Sequence, residues 1–572
     1  MAHIHKKVKN GKDYYYIREM ARVNGKPKVV NQVYLGSIER ILEMAAGGGA
    51  KNLEQIQVQE FGALWLANLI EREIGLVSII DSVIPKGANE TGPSVGEYFL
   101  YAAFNRMVDA CSKRALPEWY KGTAIQHIRP VDIEALDSDG FWKKWEKADE
   151  ADIALIAQKF LAKIAEIEPP SSDCFLFDTT NYYTFMAGQT ASDLAKRGKK
   201  KEGRDWLRQV GLALLVSGGT RLPAFYKEYE GNCHDSTLFN RVLDDVLCAM
   251  KGRGFDEVTI IFDKGINSED NIGKIDETPN AHFVTTYSTY FAEEFIHVPK
   301  KNFGPVDTPK NRELKEKGRE DDSVVAWRTK GLYWGRERTV VVTYNPLTAS
   351  KQRYAFERRL AKLTAALFEF RSKVRSRAAQ WRKKEKILER YNTLCEDLNL
   401  PKDLYDLDFE SEGGQLGMSF RKNHYRISRH IDRFGKNIII TDRTDWTTDK
   451  IVQANLDRYQ VEDAFRLSKD DDLVSLFPIR HWTDSKIRCH IFSCIAALCY
   501  LRIIELRLHR AGLDMTAATA MKHMQRLHSC LCWQSGAKKP ARIIETPSDS
   551  QAAILRAFRH ETAGGVLQKI KL

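Results

Sequence analysis

Two short apolar runs, each closing on an aspartate, constrain this fold more than any other feature. Cys174-Phe175-Leu176-Phe177 ends at Asp178, and Val258-Thr259-Ile260-Ile261-Phe262 ends at Asp263. Apolar runs this short, bounded by polar and glycine residues, predict buried strands rather than helices. Between them, Gln209 to Ser217 is apolar and stops at Gly218-Gly219, a hairpin turn signal, and Leu222 to Tyr229 returns as a third strand. Ser236 to Met250 then sets Leu238, Val242, Val246, Leu247 and Met250 at helical spacing, with Ser236 suited to cap the first turn. His282-Phe283-Val284-Thr285 predicts one more strand after Asp263. An aspartate where a buried strand emerges either starts a turn or serves chemistry, because Asp is almost never fully buried without a partner.

Three antiparallel strands, a helix and a fourth strand is the order of a ribonuclease-H-like domain, in which the first and fourth strands lie side by side and bring two carboxylates together. A third acid lies on the helix-forming stretch from Asp457 to Lys469. At about 100° per residue, Arg458, Glu462 and Lys469 fall within roughly 40° of one another and form one polar stripe. Alone, that stripe reads equally as a solvated helix face with ordinary ion pairs. With Asp178 and Asp263 it predicts a carboxylate site flanked by two cations, suited to divalent metal and a phosphate backbone.

These residues resemble the DDE transposases of bacterial insertion sequences, in the group with a Tyr-x2-Arg-x3-Glu-x6-Lys signature. Arg458, Glu462 and Lys469 stand at its last three positions; Asn455 replaces the tyrosine, and Tyr459 lies one turn later. Asp178-Thr179-Thr180, the segment from Gly231 to Leu238, the stretch from Asp263 to Asn271, and Pro478-Ile479-Arg480-His481-Trp482 with His490 also fit, so the likeness spans residues 171–510. The resemblance implies an enzyme that binds the terminal inverted repeats of its element, cleaves the DNA ends and joins them to target DNA. Asp178, Asp263 and Glu462 are then the catalytic acids and the metal ligands. All three are hard oxygen donors, so the expected cofactor is Mg²⁺, two ions with Mn²⁺ as a substitute. Arg458, Lys469 and Tyr459 are expected on DNA, and pairing two ends implies a homodimer. Two alternatives stay open: a ribonuclease-H-like nuclease that cuts without joining, and a DNA-binding regulator derived from a transposase. The presence of all three acids argues against the second.

Asp178 and Asp263 are 85 residues apart, room for the elements just read, whereas Asp263 and Glu462 are 199 apart. A large insertion before the last catalytic helix is therefore expected at 288–435. The resemblance implies a β-rich insertion, but Phe356, Leu360, Leu363, Leu367, Phe370, Val374 and Trp381 recur as a heptad seam broken once near Arg377. The other faces are basic from Arg358 to Lys386, which predicts one long basic helix. Either the seam packs a core and the cations keep the outer face soluble, or Arg382, Lys383 and Lys384 lead a DNA-tracking surface. Thr339–Thr343 and Tyr425–Ser428 predict strands, so the insertion is expected to be mixed.

At the N-terminus, Asn10-Gly11 and Asn24-Gly25 are hairpin turns that separate three strands in a basic, tyrosine-bearing meander. Gly47-Gly48-Gly49 makes a break, and the pattern from Leu53 to Ile167 is mainly helical. The expected class is a multidomain α/β protein: an N-terminal β-meander arm at 1–46, a helical DNA-binding domain at 50–170, a ribonuclease-H-like mixed sheet core split between 171–287 and 436–510 around the insertion, and a C-terminal helical region at 511–572. Lys plus Arg number 88 against 76 Asp plus Glu, a net +12, which favours a polyanionic partner such as double-stranded DNA. No apolar core follows the basic N-terminus, and Ile491 to Leu501 is too short to span a bilayer, so a cytoplasmic, nucleoid-associated bacterial protein with no membrane partner is expected. The ten cysteines show no disulfide framework. His523, His528, Cys530 and Cys532 lack a CxxC pair, so a helix with incidental His and Cys is preferred to a zinc site.

Overall fold

Three strands open the chain in the computed structural model, β1 (Ala2–Lys9), β2 (Lys12–Val23) and β3 (Lys26–Gly36), paired antiparallel in chain order. The structure describes residues 2–9, 12–23, 26–36, 41, 53–186, 190–198, 206–251, 255–376, 378–412, 415–534 and 537–570. Both Asn-Gly turns, the triple glycine and Arg377 lie outside these residues. Two compact units form, a coarser division than the six expected segments. One comprises Met1–Ile156, Asp471–Ser475 and Phe492–Leu572, the other Ala157–Asp470 and Leu476–Ile491.

In the first unit, β4 (Leu53–Glu60) leads into helices, of which Val95–Val108 is nearly all buried and starts in a Ser94/Glu97 capping box. Glu71 is buried here, accepting hydrogen bonds from the Leu76 amide at 3.0 Å and from the Tyr500 hydroxyl, and burial pushes its carboxyl up.

The second unit is built on one sheet. Its strands are β5 (Cys174–Thr184), β6 (Arg208–Ser217), β7 (Pro223–Glu230), β8 (Val258–Phe262), β9 (Ala281–Tyr287), β10 (Gly304–Pro305), β11 (Val325–Tyr333) and β12 (Arg336–Tyr344). A hairpin, β13 (Tyr405–Glu412) with β14 (Gln415–Lys422), stands apart, and β15 (Lys436–Thr441) completes the sheet in the order β10-β11-β12-β15-β9-β8-β5-β6-β7. The β5–β8 and β8–β9 pairs are parallel and the others antiparallel. Helix Asp235–Met250 lays Phe239 on this sheet, its ring 4.8 Å from Phe177 and 5.2 Å from Phe262. This large mixed sheet with helices is consistent with a ribonuclease-H-like transposase fold.

The region at 288–435 divides where the sequence showed no boundary. β11 and β12 continue the main sheet, because β12 pairs with β15. The chain leaves this sheet after Tyr344 and returns at Lys436, its paired residue. The excursion has its own core of Phe356, Leu360, Leu363, Leu367, Val374 and Trp381, with Phe370 partly buried. The heptad seam is thus core packing. The single long basic helix is replaced by two: Pro346–Arg375, capped by Asn345, and Lys384–Asp397. Trp381, in a one-turn 3-10 helix between them, reaches the core that a straight helix would have carried it past. Tyr425–Ser428, expected as a strand, lies in helix His424–Ile431, whose first turn the Asn423 side chain caps.

Among the described residues, the expected helical region at 511–572 carries two helices, Ala517–Gln525 and Asp549–Ala557. It also holds β16 (His528–Gln534), β17 (Ala541–Ile544), β18 (His560–Ala563) and β19 (Val566–Lys569). β16 is the centre of a sheet in the order β17-β16-β4, so its pairing depends on a strand far earlier in the chain. Helix Asp484–Arg510 is long and apolar enough by composition to cross a bilayer, but 83% of its apolar window is buried within the protein.

Candidate active site

Parallel pairing brings the two strand-borne aspartates together. β5 and β8 match Cys174 with Thr259, Phe175 with Ile260 and Leu176 with Ile261, and two residues beyond the last pair stand Asp178 and Asp263. The 85-residue spacing of the aspartates is the spacing of that register. Neighbouring strands lie about 4.8 Å apart, so the two carboxylates emerge side by side. The structure corrects one detail. Asp178 is not the end of its strand, since β5 runs on to Thr184 against β6; it is the point where β8 stops accompanying it. Its Oδ1 accepts from the Thr179 amide at 2.8 Å.

Asp263 is the first residue after β8, and its carboxylate is held from two sides. The hydroxyl of Thr286, on β9, donates to Oδ1 at 2.6 Å, and Arg458 Nη1 lies 3.3 Å from the same oxygen. The Thr286 hydroxyl in turn accepts from the Lys264 amide at 3.1 Å. Burial pushes the Asp263 carboxyl up, but the Thr286 hydrogen bond and the Arg458 charge outweigh it, so it rests below the usual carboxylate value. The loop that follows is pinned by Asn271, whose buried side-chain amide donates to the Ile266 carbonyl at 2.7 Å and the Ser236 carbonyl at 3.0 Å. Gly231 closes the other end of this framework; a Cβ there would lie 1.9 Å from the Gln209 carbonyl oxygen, so only glycine fits.

The third acid is on helix Tyr459–Ser468, with Arg458 at its N-cap and Lys469 at its C-cap. Val461, Ala464, Phe465 and Ser468 recur at i, i+3, i+4 and i+7 and are buried, which leaves Glu462 on the exposed face. The helix is tied to the β5–β6 region at both ends. Gln460 Oε1 accepts from the Gly219 amide at 3.1 Å, and the Ser468 hydroxyl is 2.6 Å from the Tyr182 hydroxyl. Lys469 Nζ donates to Thr180 Oγ1 at 2.8 Å and lies 5.4 Å from the Tyr182 ring. The two cations of the stripe therefore reach the two aspartate-bearing strands, Arg458 to the end of β8 and Lys469 to β5. Tyr459 is half exposed, its hydroxyl accepting from Arg221 Nη2 at 2.9 Å. Among the described residues, no three His, Cys, Asp or Glu side chains already stand grouped for a metal ion.

The segment at Pro478–Trp482 runs beside β5, the Ile479 amide donating to the Tyr183 carbonyl at 3.0 Å, and the His481 and His490 rings are 4.8 Å apart. Arg382, Lys383 and Lys384 are exposed at the break between the two helices of the excursion, with Lys384 Nζ 5.6 Å from the Phe409 ring. Of the His and Cys near the C-terminus, His523 is helical while His528, Cys530 and Cys532 are on β16, and His528 Nδ1 is 3.1 Å from Glu545. Sequence reasoning missed Thr286, Arg221 and Gln460; nothing local to them signals a contact made across the sheet.

Among solved structures, the cryo-EM structure of the piggyBac transposase synaptic complex with hairpin DNA is similar at a TM-score of 0.37 and 9% identity, covering 82% of each chain. None of the curated proteins compared matches the chain. The transposase DDE domain family matches residues 175–500, which take in Asp178, Asp263, the excursion and the Glu462 helix, and the chain belongs to that family.

Proposed function

We propose that this transposase binds the terminal inverted repeats of a bacterial insertion sequence, cuts the DNA ends and joins them to target DNA, with Asp178, Asp263 and Glu462 as its catalytic acids. The observation that carries this reading is the parallel β5–β8 register, which sets Asp178 beside Asp263, with the Glu462 helix fastened to the same β5 strand. The family normally uses divalent metals, and the donors here suit Mg²⁺ in kind: two carboxylates at neighbouring strand positions and a third, exposed carboxylate on the adjoining helix. Held by these three acids, Mg²⁺ would supply Lewis-acid stabilisation of the oxygens that attack and leave phosphorus.

The protein's own groups do the rest. The Thr286 hydroxyl fixes the Asp263 carboxylate in one orientation, and together with Arg458 it keeps that carboxylate ionised at neutral pH. Arg458 and Lys469 are donors only and cannot ligate a metal, so they serve as phosphate grips, Arg458 as a planar fork and Lys469 as a point charge. The Tyr-Arg-Glu-Lys group is supported by Arg458, Glu462 and Lys469 at signature spacing. Pairing of two DNA ends calls for a homodimer.

The test is a series of Asp178→Ala, Asp263→Ala and Glu462→Ala, each expected to abolish cleavage while leaving gel-shift binding of end DNA largely intact. Near-wild-type cleavage in any of the three removes that residue from the site. Incubating pre-cleaved ends with a plasmid separates joining from cutting; cleavage without joined product would support a nuclease instead.

A further inference from the structure

The excursion and the main sheet enclose a cavity of about 350 Å³ whose lining includes Lys300, Arg353, Lys436, His297, Tyr344 and Asp432. Its chemistry is cationic. Among the described residues, none of Lys300, Arg353 and Lys436 stands within ion-pair distance of a carboxylate. Lys300 Nζ donates to the Tyr344 hydroxyl at 3.2 Å and lies 4.7 Å from that ring. Lys436 donates to the Ile296 carbonyl and lies 5.8 Å from the Phe303 ring. Burial, with Lys300 nearby, lowers the Lys436 ammonium from its ordinary value despite the pull of Asp432. Asp432, the one lining carboxylate, is taken by His297 Nδ1 at 3.1 Å, and His297 Nε2 is buried with no hydrogen-bond partner. Three cations with no carboxylate partner among the described residues are an arrangement that an oxyanion completes.

The position of the cavity says which oxyanion. β8 and β9 pair in parallel with Phe262 beside Thr285, so β9 ends at the edge where Asp263 emerges. β15 runs antiparallel to β9 with Ile438 opposite Tyr287, which puts Lys436 beyond that same edge, and Tyr344 of β12 is paired with Lys436. β15 is two strands from β8, a lateral distance of about 10 Å. A polyanion laid across this edge meets the aspartates and the cavity together.

We propose that the cavity holds a backbone phosphate of the DNA on which the carboxylates act, outside the grip of Arg458 and Lys469. This rests on the function proposed above. Lys300 and Arg353 supply charge from exposed stems, and Lys436 supplies a partly desolvated ammonium.

The experiment uses the full chain and a fluorescein-labelled DNA duplex, with affinity measured across a salt series. The slope of log affinity against log salt falls by about 0.9 for each phosphate no longer neutralised, so Lys300→Gln with Arg353→Gln, which strip the one phosphate of its exposed partners, should flatten it by up to ~0.9. Both side chains are exposed, so the melting temperature should stay at the wild-type value. Lys436→Met, which keeps the buried stem, should flatten the slope as well. An unchanged slope in all variants would overturn the proposal. So would an unchanged slope with inorganic phosphate raising the wild-type melting temperature but not that of the variants, since the cavity then serves a free oxyanion. If the slopes flatten but the wild type cuts no DNA, the cavity stands and the proposed function falls. If the wild type cuts DNA and the slopes do not move, only the cavity falls.

Discussion

Replacing Thr286 by Val tests whether the hydroxyl between β9 and Asp263 positions a working carboxylate. Thr286 is 4% exposed, and valine preserves its branched shape, so the substitution removes hydrogen bonds and little packing. Two are lost: the donation to Asp263 Oδ1 at 2.6 Å and the acceptance from the Lys264 amide at 3.1 Å. A hydrogen bond to a charged group contributes about 1.5–3 kcal/mol, and the Asp263 side chain is 43% exposed, so the low end applies. With the orphaned amide added, the expected cost is about 2 kcal/mol in urea unfolding at neutral pH. The folded pKa of Asp263 is depressed, so its stabilisation is complete above the ordinary carboxylate value and is lost as pH falls through the folded value. The Val deficit should therefore be largest at neutral pH and shrink in acid. Thr286→Ser is the control. It keeps the hydroxyl, loses a methyl group and costs about 1 kcal/mol of packing with no such pH dependence. Cleavage should fall sharply in the Val variant and persist in the Ser variant, with DNA binding retained in both. Cleavage lost with Ser but kept with Val would refute the positioning role.

Arg458→Lys should lose cleavage despite keeping its charge, because one ammonium cannot serve as a fork, while Lys469→Arg should be milder; separate metal and DNA titrations should show the loss in DNA assembly. A variant that loses metal affinity with normal DNA affinity would contradict the phosphate grip. The hydrogen bond that His282 Nδ1 donates to Asp442 at 2.7 Å raises the His282 pKa, so that pair stabilises fully below the ordinary histidine value and its contribution is lost as pH rises through the raised one. Asp442→Asn should erase that part of the pH dependence at a cost of about 1 kcal/mol at low pH, read from urea midpoints on either side of the histidine range. Arg382→Ala with Lys383→Ala and Lys384→Ala should flatten the salt slope of DNA binding by roughly 0.9 per contact if this exposed junction meets DNA. Leu363→Ala, in the buried seam, should instead cost roughly 2–5 kcal/mol and leave the slope alone.

What the sequence revealed was local. The apolar runs before Asp178 and Asp263, the Gly218-Gly219 turn and the periodicity of Asp235–Met250 each depend on residues within one element, and all appear in the structure. What it hid was pairing between distant segments. Thr339–Thr343, in β12, read as a strand of an insertion because nothing in it names β15 as its neighbour. β16 looked helical because its partner β4 lies at Leu53–Glu60. The break after Arg375 was hidden for another reason: the chain there has no proline or glycine, and the turn is imposed by Trp381 folding back into the core. At the site, the polar stripe of Arg458, Glu462 and Lys469 was visible, but not that Arg458 would meet Asp263, a contact that exists only once the sheet has formed.

The placement of β15 beside β9 also sets a timetable for synthesis. Once Tyr287 has left the ribosome, β9 can pair with β8, yet its other edge must wait for Thr441. At ~5–20 residues per second that wait is on the order of 10–30 s. During it, Phe283 and Val284 belong to an open edge strand with unmatched amides, a template for joining another nascent chain. The excursion, with a core of its own, can fold during that interval without closing the edge. Slower translation at unchanged temperature lengthens the time this edge stays uncovered and should lower the yield of folded protein in a host cell.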